Sequence, residues 1–177
     1  MSRMRGTRVS RVLLGSIVVA LIASGCGGAG SDHPSASSAP ATSTTPPAKQ
    51  AVTFGTAVDV AAADGSTATY TVDNLRPVPA DAQIVPAKGT MFAVDVTIVA
   101  KTGTTTYNGF WFVARAADGS NIAPAVGAVA PGITSGQLAQ GQQVAAHVAY
   151  DVPPGQTITA VMLRDPHGKL LAVWATG

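Results

Sequence analysis

Short runs rich in β-branched residues, separated by turn-forming dipeptides, dominate the chain from residue 51 onward. In the run 66–75 (STATYTVDNL), Ala68, Tyr70 and Val72 share one face and alternate with polar residues, as expected for a half-buried strand. Asp64-Gly65 precedes this run and predicts a hairpin turn, because Gly accepts a positive φ and Asp bonds its own backbone. Such runs recur at roughly ten-residue spacing without a helical period, which predicts an all-β sandwich or small barrel of about seven or eight strands.

The later runs extend this pattern to the end of the chain. The segment 109–126 is predicted to form a second hairpin around Asp118-Gly119, with Phe110 and Phe112 on one face. We expect Trp174 to close the core. Further strands are predicted within 53–62, 91–102, 142–152, 157–165 and 169–175.

The first 25 residues have the layout of a signal peptide. Four arginines fall within residues 1–11 ahead of any acidic residue, and the twelve residues 12–23 (VLLGSIVVALIA) are almost entirely apolar. At about 1.5 Å per residue, this run is too short to span a bilayer core of about 30 Å. A permanent transmembrane helix is therefore the weaker alternative.

Cys26 is the one cysteine of the chain and follows the apolar run directly. The small residues Ser24 and Gly25 before it resemble the bacterial lipobox, in which the cysteine is acylated with diacylglycerol and becomes the first residue of the mature protein. Ala23 departs from the leucine usual in that motif. The alternative is an ordinary secretory signal, cut after Ala23 or Gly25, that leaves Cys26 as a spare thiol. We predict a lipoprotein attached to the extracytoplasmic face of the cell membrane through Cys26, with release or surface exposure as a further fate.

Residues 26–50 are small, hydroxylated or proline with few exceptions, so they are predicted to form a disordered tether. A flexible chain of this length reaches about 25 to 30 Å. Residues 51–177 are the folded domain. Once the four leader arginines are removed, seven basic residues face nine acidic ones, and this balance argues against nucleic acid as a partner.

Four stretches of the domain resemble a known family. They are 112–122 (FVARAADGSNI), 134–143 (TSGQLAQGQQ), 148–155 (VAYDVPPG) and 170–174 (LLAVW). They are similar to the actinobacterial, mycobacterial-type family of small secreted immunogenic antigens and to the telokin-like group of bacterial lipoproteins. The resemblance implies an immunoglobulin-like β-sandwich outside the cytoplasm and no established catalytic activity, so it identifies no functional residue. Cys26 and the tether depart from the freely secreted members.

No residue pattern predicts catalysis, a metal site or a cofactor. His33, His147 and His167 lie far apart in sequence and lack zinc-site spacing. Ser120 and Ser135 are candidate nucleophiles beside His147 and Asp151, but four positions along a strand separate that histidine and aspartate by roughly 13 Å. We therefore predict a protein that is not an enzyme.

Two functions remain open. The first is a non-enzymatic module that binds a protein or an envelope component through a sheet edge or loops. Its candidate binding patch is Tyr107, Phe110, Trp111 and Phe112, where the aromatic residues cluster. The second is a carrier for a small molecule or lipid, with an apolar pocket lined by Phe92, Phe110, Trp111 and Phe112.

Overall fold

The computed structural model describes residues 50–177, which form eleven β-strands. The predicted signal peptide (1–25), Cys26 and the predicted tether up to residue 49 lie outside the described residues. Two single-turn 3-10 helices, Ala80–Ala82 and Gly109–Trp111, lie between strands. The strands are β1 (Val52–Thr53), β2 (Val58–Ala61), β3 (Thr67–Pro77), β4 (Thr90–Thr102), β5 (Thr105–Asn108), β6 (Phe112–Ala116), β7 (Asn121–Ile122), β8 (Ser135–Leu138), β9 (Gln143–Val152), β10 (Ile158–Arg164) and β11 (Leu170–Ala175).

Two main sheets form the sandwich. One contains five strands in the order β1-β11-β10-β6-β7, and the other contains four in the order β2-β3-β4-β9. β5 and β8 pair separately as a two-stranded sheet. All strand pairs are antiparallel except β1 with β11. The predicted all-β sandwich is confirmed, and the extra strands beyond eight are the short segments β1, β5 and β8.

The space between the two sheets is filled by the side chains that alternate along the strands with a period of two. The inward residues of both sheets form one continuous core, in which each side chain is at most 9% exposed. The four-stranded sheet contributes alternate residues of β3, β4 and β9, as predicted. The largest of the fully buried side chains are Trp174, Tyr150, Phe112, Ile98, Leu163, Val72, Val94, Val96, Val152 and Val161.

Three aromatic contacts connect the sheets. The Tyr150 hydroxyl, from β9, donates to the carbonyl oxygen of Phe112 on β6 at 3.3 Å. The rings of Tyr70 and Phe112 lie with centroids 6.3 Å apart and an interplanar angle of 52°, a tilted geometry typical of aromatic pairs. The Trp174 indole N–H donates to the Thr56 carbonyl oxygen at 2.8 Å in the connection between β1 and β2, which confirms that Trp174 closes the core.

A long loop covers the outer edge of β9. His147 N–H donates to the Pro131 carbonyl at 2.8 Å, Ile133 N–H donates back to the His147 carbonyl at 2.9 Å, and Ala125 N–H bonds the Ala149 carbonyl at 2.7 Å. These bonds satisfy backbone groups that an edge strand would otherwise present to another chain. A small second cluster, Met91, Ala128, Val129 and Ala149, packs beneath this loop.

The predicted aspartate turns are confirmed. Asp64 Oδ1 accepts the Ser66 N–H at 2.9 Å, and Asp118 Oδ1 accepts the Ser120 N–H at 2.8 Å. In each turn the glycine that follows the aspartate has a φ near +84°, since Gly65 has +83° and Gly119 has +84°. Both hairpins thus turn as their dipeptides require.

The structure differs from the prediction at residues 109–111, which form a 3-10 turn instead of a strand. Gly109 approaches the Ile133 carbonyl oxygen so closely that an added Cβ would lie 2.5 Å from it. The turn interrupts the two-residue alternation, so Phe110 is 63% exposed while Phe112 is fully buried. The prediction that both phenylalanines share one face is therefore wrong.

This difference predicts unequal effects of two similar substitutions. Phe112→Ala should lower the free energy of unfolding by about 3 to 5 kcal/mol, because it opens a cavity between the sheets. Phe110→Ala, two positions away and exposed, should change it by less than about 0.5 kcal/mol. Urea unfolding of both variants measures the difference, and equal destabilisation would contradict the placement of the 3-10 turn.

Candidate functional site

A cavity of about 470 Å³ opens at one end of the sandwich. The β2–β3 hairpin of the four-stranded sheet and the β10–β11 hairpin of the five-stranded sheet form two of its sides. β5 and Trp111 supply the remaining wall. The cavity therefore lies between the sheets where two hairpin tips meet, and its volume is in the range of small-molecule sites.

The interior of the cavity is apolar. Val60, Ala68, Tyr70 and Leu163 line it and are each at most 6% exposed. Leu171, which also lines the cavity, is half-buried. These side chains belong to strands of both sheets, so the cavity continues the hydrophobic core toward solvent.

Two turns supply the polar mouth. Asp64 Oδ1 accepts the Ser66 hydroxyl at 2.7 Å, and this bond, followed by the Ser66 N–H, lowers the pKa of the Asp64 carboxyl. Asp165 Oδ1 accepts the N–H groups of His167 at 2.9 Å and Lys169 at 2.8 Å. One oxygen of each carboxylate is thus used to build its turn, and Lys169 lines the same mouth.

Tyr70 brings a polar group to the apolar wall. The residue is 6% exposed, and its ring packs against Phe112 in the core. Its hydroxyl bonds no described residue, yet it is not one of the polar atoms sealed from solvent. Because Tyr70 lines the cavity, the accessible part of the hydroxyl opens there. Burial raises the pKa of Tyr70, so the hydroxyl stays protonated at neutral pH and remains a hydrogen-bond donor.

Thr105 lines the cavity in a different way. It is 5% exposed, and its Oγ1 is both without a partner and sealed from solvent. A sealed oxygen cannot meet a ligand without movement of its neighbours. Tyr70 therefore supplies the accessible hydroxyl of the buried wall.

The residues of the predicted patch are not brought together. Trp111 lines the cavity, but Phe110 points to solvent and Phe112 is core. Tyr107 lies over Gly136 of β8, where an added Cβ would be 2.6 Å from the tyrosine oxygen. Phe92, expected in the carrier pocket, packs against the main core outside the cavity. Of the predicted residues, Trp111 alone lies at the observed site.

The position of Tyr70 in the cavity wall was not predictable from the sequence, because a residue in a period-two strand is predicted only to be buried. Leu163 and Leu171 were missed for the same reason. The turns at Asp64-Gly65 and Asp165 to Gly168 were visible in the sequence. Their meeting at one end of the sandwich depends on how the sheets stack, which no local pattern encodes.

A second polar cluster lies on the outer face of the four-stranded sheet. Asp95 Oδ1 is 2.7 Å from Arg76 Nη1 and 2.7 Å from His147 Nδ1. Asn74, with a left-handed φ of 54°, donates to Asp95 Oδ2 at 2.9 Å. The register of β3 against β4 shifts between Asp73 and Arg76, and this irregularity brings the guanidinium to the carboxylate.

The serines, His147 and Asp151 considered for catalysis occupy separate places. Asp151 accepts the backbone N–H groups of Lys88 and Gly89, each at 2.8 Å. His147 pairs with Asp95 instead. Ser120 lies in the Asp118 turn, and Ser135 begins β8. Their geometry fits roles in turns, strands and the outer-face cluster.

A family model described as a domain of unknown function, DUF1942, matches residues 49–174. The chain belongs to the DUF1942 family. No curated protein matches the sequence.

Two solved structures share the fold of this DUF1942 domain. The secreted protein MPT63 from Mycobacterium tuberculosis is 23% identical, with a TM-score of 0.64 over 73% of this chain and 98% of MPT63. The yjhA protein from Bacillus subtilis is 12% identical, with a TM-score of 0.50 over 71% of this chain and 99% of yjhA. The likeness to MPT63 confirms the immunoglobulin-like β-sandwich, and together with the family match it confirms the resemblance to the secreted antigen family.

Residues 50–177 of this DUF1942 member contain no helix of the length and hydropathy needed to cross a membrane. Within the same residues, no three His, Cys, Asp or Glu side chains form a group that could hold a metal ion. The expectation that the protein uses neither metal nor cofactor stays a prediction.

The outer-face cluster predicts a pH-dependent contribution to stability. Burial alone would raise the pKa of Asp95, but hydrogen bonds from Asn74 and Arg76 and the charges of Arg76 and His147 outweigh it, so the pKa is lowered. The stabilisation is therefore present above the usual aspartate pKa and lost as the pH falls through the lower folded-state value.

Asp95→Asn should reduce the free energy of unfolding by about 1 kcal/mol or less at pH 7, because the cluster is partly exposed. The difference from the wild type should vanish once the pH falls below the lowered pKa of Asp95. Urea unfolding across this range measures it. A difference that grew as the pH fell would show that the sign of the Asp95 contribution is wrong.

Proposed function

We propose that this DUF1942 member is a non-enzymatic extracytoplasmic binding protein whose β-sandwich holds a small ligand in the cavity between the sheets. The cavity of about 470 Å³ carries the proposal, because it joins an apolar interior to a polar mouth. Ligand sites commonly combine these features. The proposal keeps the carrier function expected from sequence but moves the site to the hairpin tips.

Location outside the cytoplasm is supported by the leader pattern of residues 1–25. It agrees with the description of MPT63 as a secreted protein. We further propose that Cys26 carries a lipid and that residues 26–50 tether the domain to the membrane. The domain would then meet its ligand within about 25 to 30 Å of the head groups.

A binding role is favoured over catalysis by how the polar groups near the cavity are used. Asp64 and Asp165 each hold their own turn through backbone hydrogen bonds. His147 and Asp95, the acid–base pair of the described residues, lie on the outer face of the four-stranded sheet and do not line the cavity. The Ser66 hydroxyl donates to Asp64 at 2.7 Å, but a carboxylate whose pKa is lowered is a poor base for a serine hydroxyl.

Binding of a protein or an envelope component through loops is the second candidate. Ile84 and Val85, in the connection between β3 and β4, are 62% and 55% exposed, and Phe110 is 63% exposed. These are the large exposed hydrophobic side chains of the described residues, and such side chains favour contact with a partner when they cluster. The candidate contacts for a partner are thus the 84–85 loop and, separately, Phe110 of the predicted aromatic patch.

Filling the cavity should weaken small-molecule binding without damaging the fold. Ala68 lines the cavity, so Ala68→Leu should weaken binding of naphthalene by about fivefold or more, because the new side chain takes the ligand's space. Calorimetry and quenching of Trp111 fluorescence measure the affinity. Stability should change little, since the cavity already offers room.

Ala100 is the matched control because it pairs with Ala68 across β3 and β4 and is equally buried but does not line the cavity. Ala100→Leu should lower the free energy of unfolding by about 1 to 3 kcal/mol through overpacking. It should keep naphthalene affinity within about twofold. If naphthalene fails to bind the wild type, or binds Ala68→Leu equally well, the cavity is not a ligand site.

Lipid attachment is tested by metabolic labelling with a fatty-acid analogue in an actinobacterial host. The wild type should incorporate the label and Cys26→Ser should not, because the acyl-accepting thiol is gone. The double variant Cys26→Ser, Ser38→Cys keeps one cysteine but moves it into the tether, and it should also remain unlabelled. Label retained by Cys26→Ser, or absent from the wild type, would refute the anchor.

A further inference from the structure

The hydroxyl of Tyr70 is a hydrogen-bond donor in an apolar wall, and no other residue among 50–177 accepts from it. Tyr70 is 6% exposed, and its ring packs against Phe112. Its hydroxyl bonds no described residue. The hydroxyl opens into the cavity, so solvent can accept its hydrogen bond in the free protein. A ligand that excluded solvent without accepting this bond would leave a buried donor without a partner, at a cost in free energy.

The chemistry around the hydroxyl defines the ligand. The neighbouring lining residues Val60, Ala68 and Leu163 are apolar and buried, so the part of the ligand that reaches them must be apolar. A buried wall without a fixed charge disfavours a charged group beside it. What fits is an uncharged acceptor oxygen on an apolar body.

We infer that the cavity binds a small molecule with an apolar body and a carbonyl or ether-type oxygen, and that the Tyr70 hydroxyl donates a hydrogen bond to that oxygen. The inference rests on the proposed function of the cavity and names its ligand class. Tyr70 is then the residue that sets specificity within the apolar pocket.

The polar residues of the mouth are poorer candidates for this role. Asp64, His167 and Lys169 are exposed, so water competes for every hydrogen bond that they offer. The mouth carries the carboxylates of Asp64 and Asp165 and the single lysine Lys169, so its charges do not favour an anionic ligand. Along β3, Tyr70 lies about 13 Å from Ser66 at the mouth, so the two ends of the cavity present different chemistry to one ligand.

A pair of probes isolates the hydrogen bond. Methyl naphthyl ketone and isopropenylnaphthalene have the same shape and differ by an oxygen in place of a CH₂ group. Tyr70→Phe should weaken binding of the ketone by about three- to tenfold, the worth of one net hydrogen bond. It should change the affinity for the hydrocarbon by less than about twofold. Calorimetry measures both constants.

Tyr107→Phe is the matched control, because it removes a tyrosine hydroxyl that does not line the cavity. It should leave both affinities unchanged. Urea unfolding should show Tyr70→Phe to be as stable as the wild type, since the lost hydroxyl bonds no other residue among 50–177. Selective loss of ketone affinity in Tyr70→Phe alone supports the inference.

Failure of the Tyr70 assignment can be distinguished from failure of the proposed function. If both probes bind the wild type and Tyr70→Phe leaves ketone affinity unchanged, or weakens both probes equally, the assignment of Tyr70 is overturned while the cavity remains a binding site. If neither probe binds the wild type, the proposed function falls and the inference falls with it.

Discussion

The packing of Phe112 between the two sheets is the contact on which the rest of the domain depends. Its ring is fully buried and meets the ring of Tyr70 from the facing sheet, and its carbonyl accepts the hydroxyl of Tyr150. One residue thus couples β6 to both β3 and β9. Because the Tyr70 ring is held in the core, its hydroxyl has a defined position at the cavity wall. Core packing and the candidate site therefore share one aromatic pair.

The remaining polar groups near the cavity mostly build the scaffold. Asp64 and Asp165 use one carboxylate oxygen each to hold the turns that form the mouth. The Asp95 cluster joins β3, β4 and β9 on the outer face of the four-stranded sheet. These carboxylates are used within turns and the outer-face cluster, whereas the apolar cavity and the Tyr70 hydroxyl remain open to a ligand. Binding is the function that this distribution favours.

Much of the fold was predictable because a strand with one buried face imposes a period of two on its own residues. The alternation of Val144, Ala146, Val148 and Tyr150, and the turn at Asp64-Gly65, are local consequences of this kind. The 3-10 turn at 109–111 was not predictable, because it depends on the close approach of Gly109 to the carbonyl of Ile133. The irregularity at Asn74 likewise depends on its partner Asp95 on the next strand. The cavity joins residues 60–70 to residues 163–171, and only the stacking of the sheets brings these segments together. The signal peptide and the lipid on Cys26 lie outside the described residues and stay predictions from the local sequence.

The most direct test of the account is a crystal structure of the protein grown with methyl naphthyl ketone. The account predicts density for the naphthyl ring between the two hairpins, against Trp111 and Leu163, with the ketone oxygen about 2.7 to 3.0 Å from the Tyr70 hydroxyl. A cavity closed by its own side chains, or a ketone bound only elsewhere on the domain, would contradict the claim that the end of the sandwich is a ligand site.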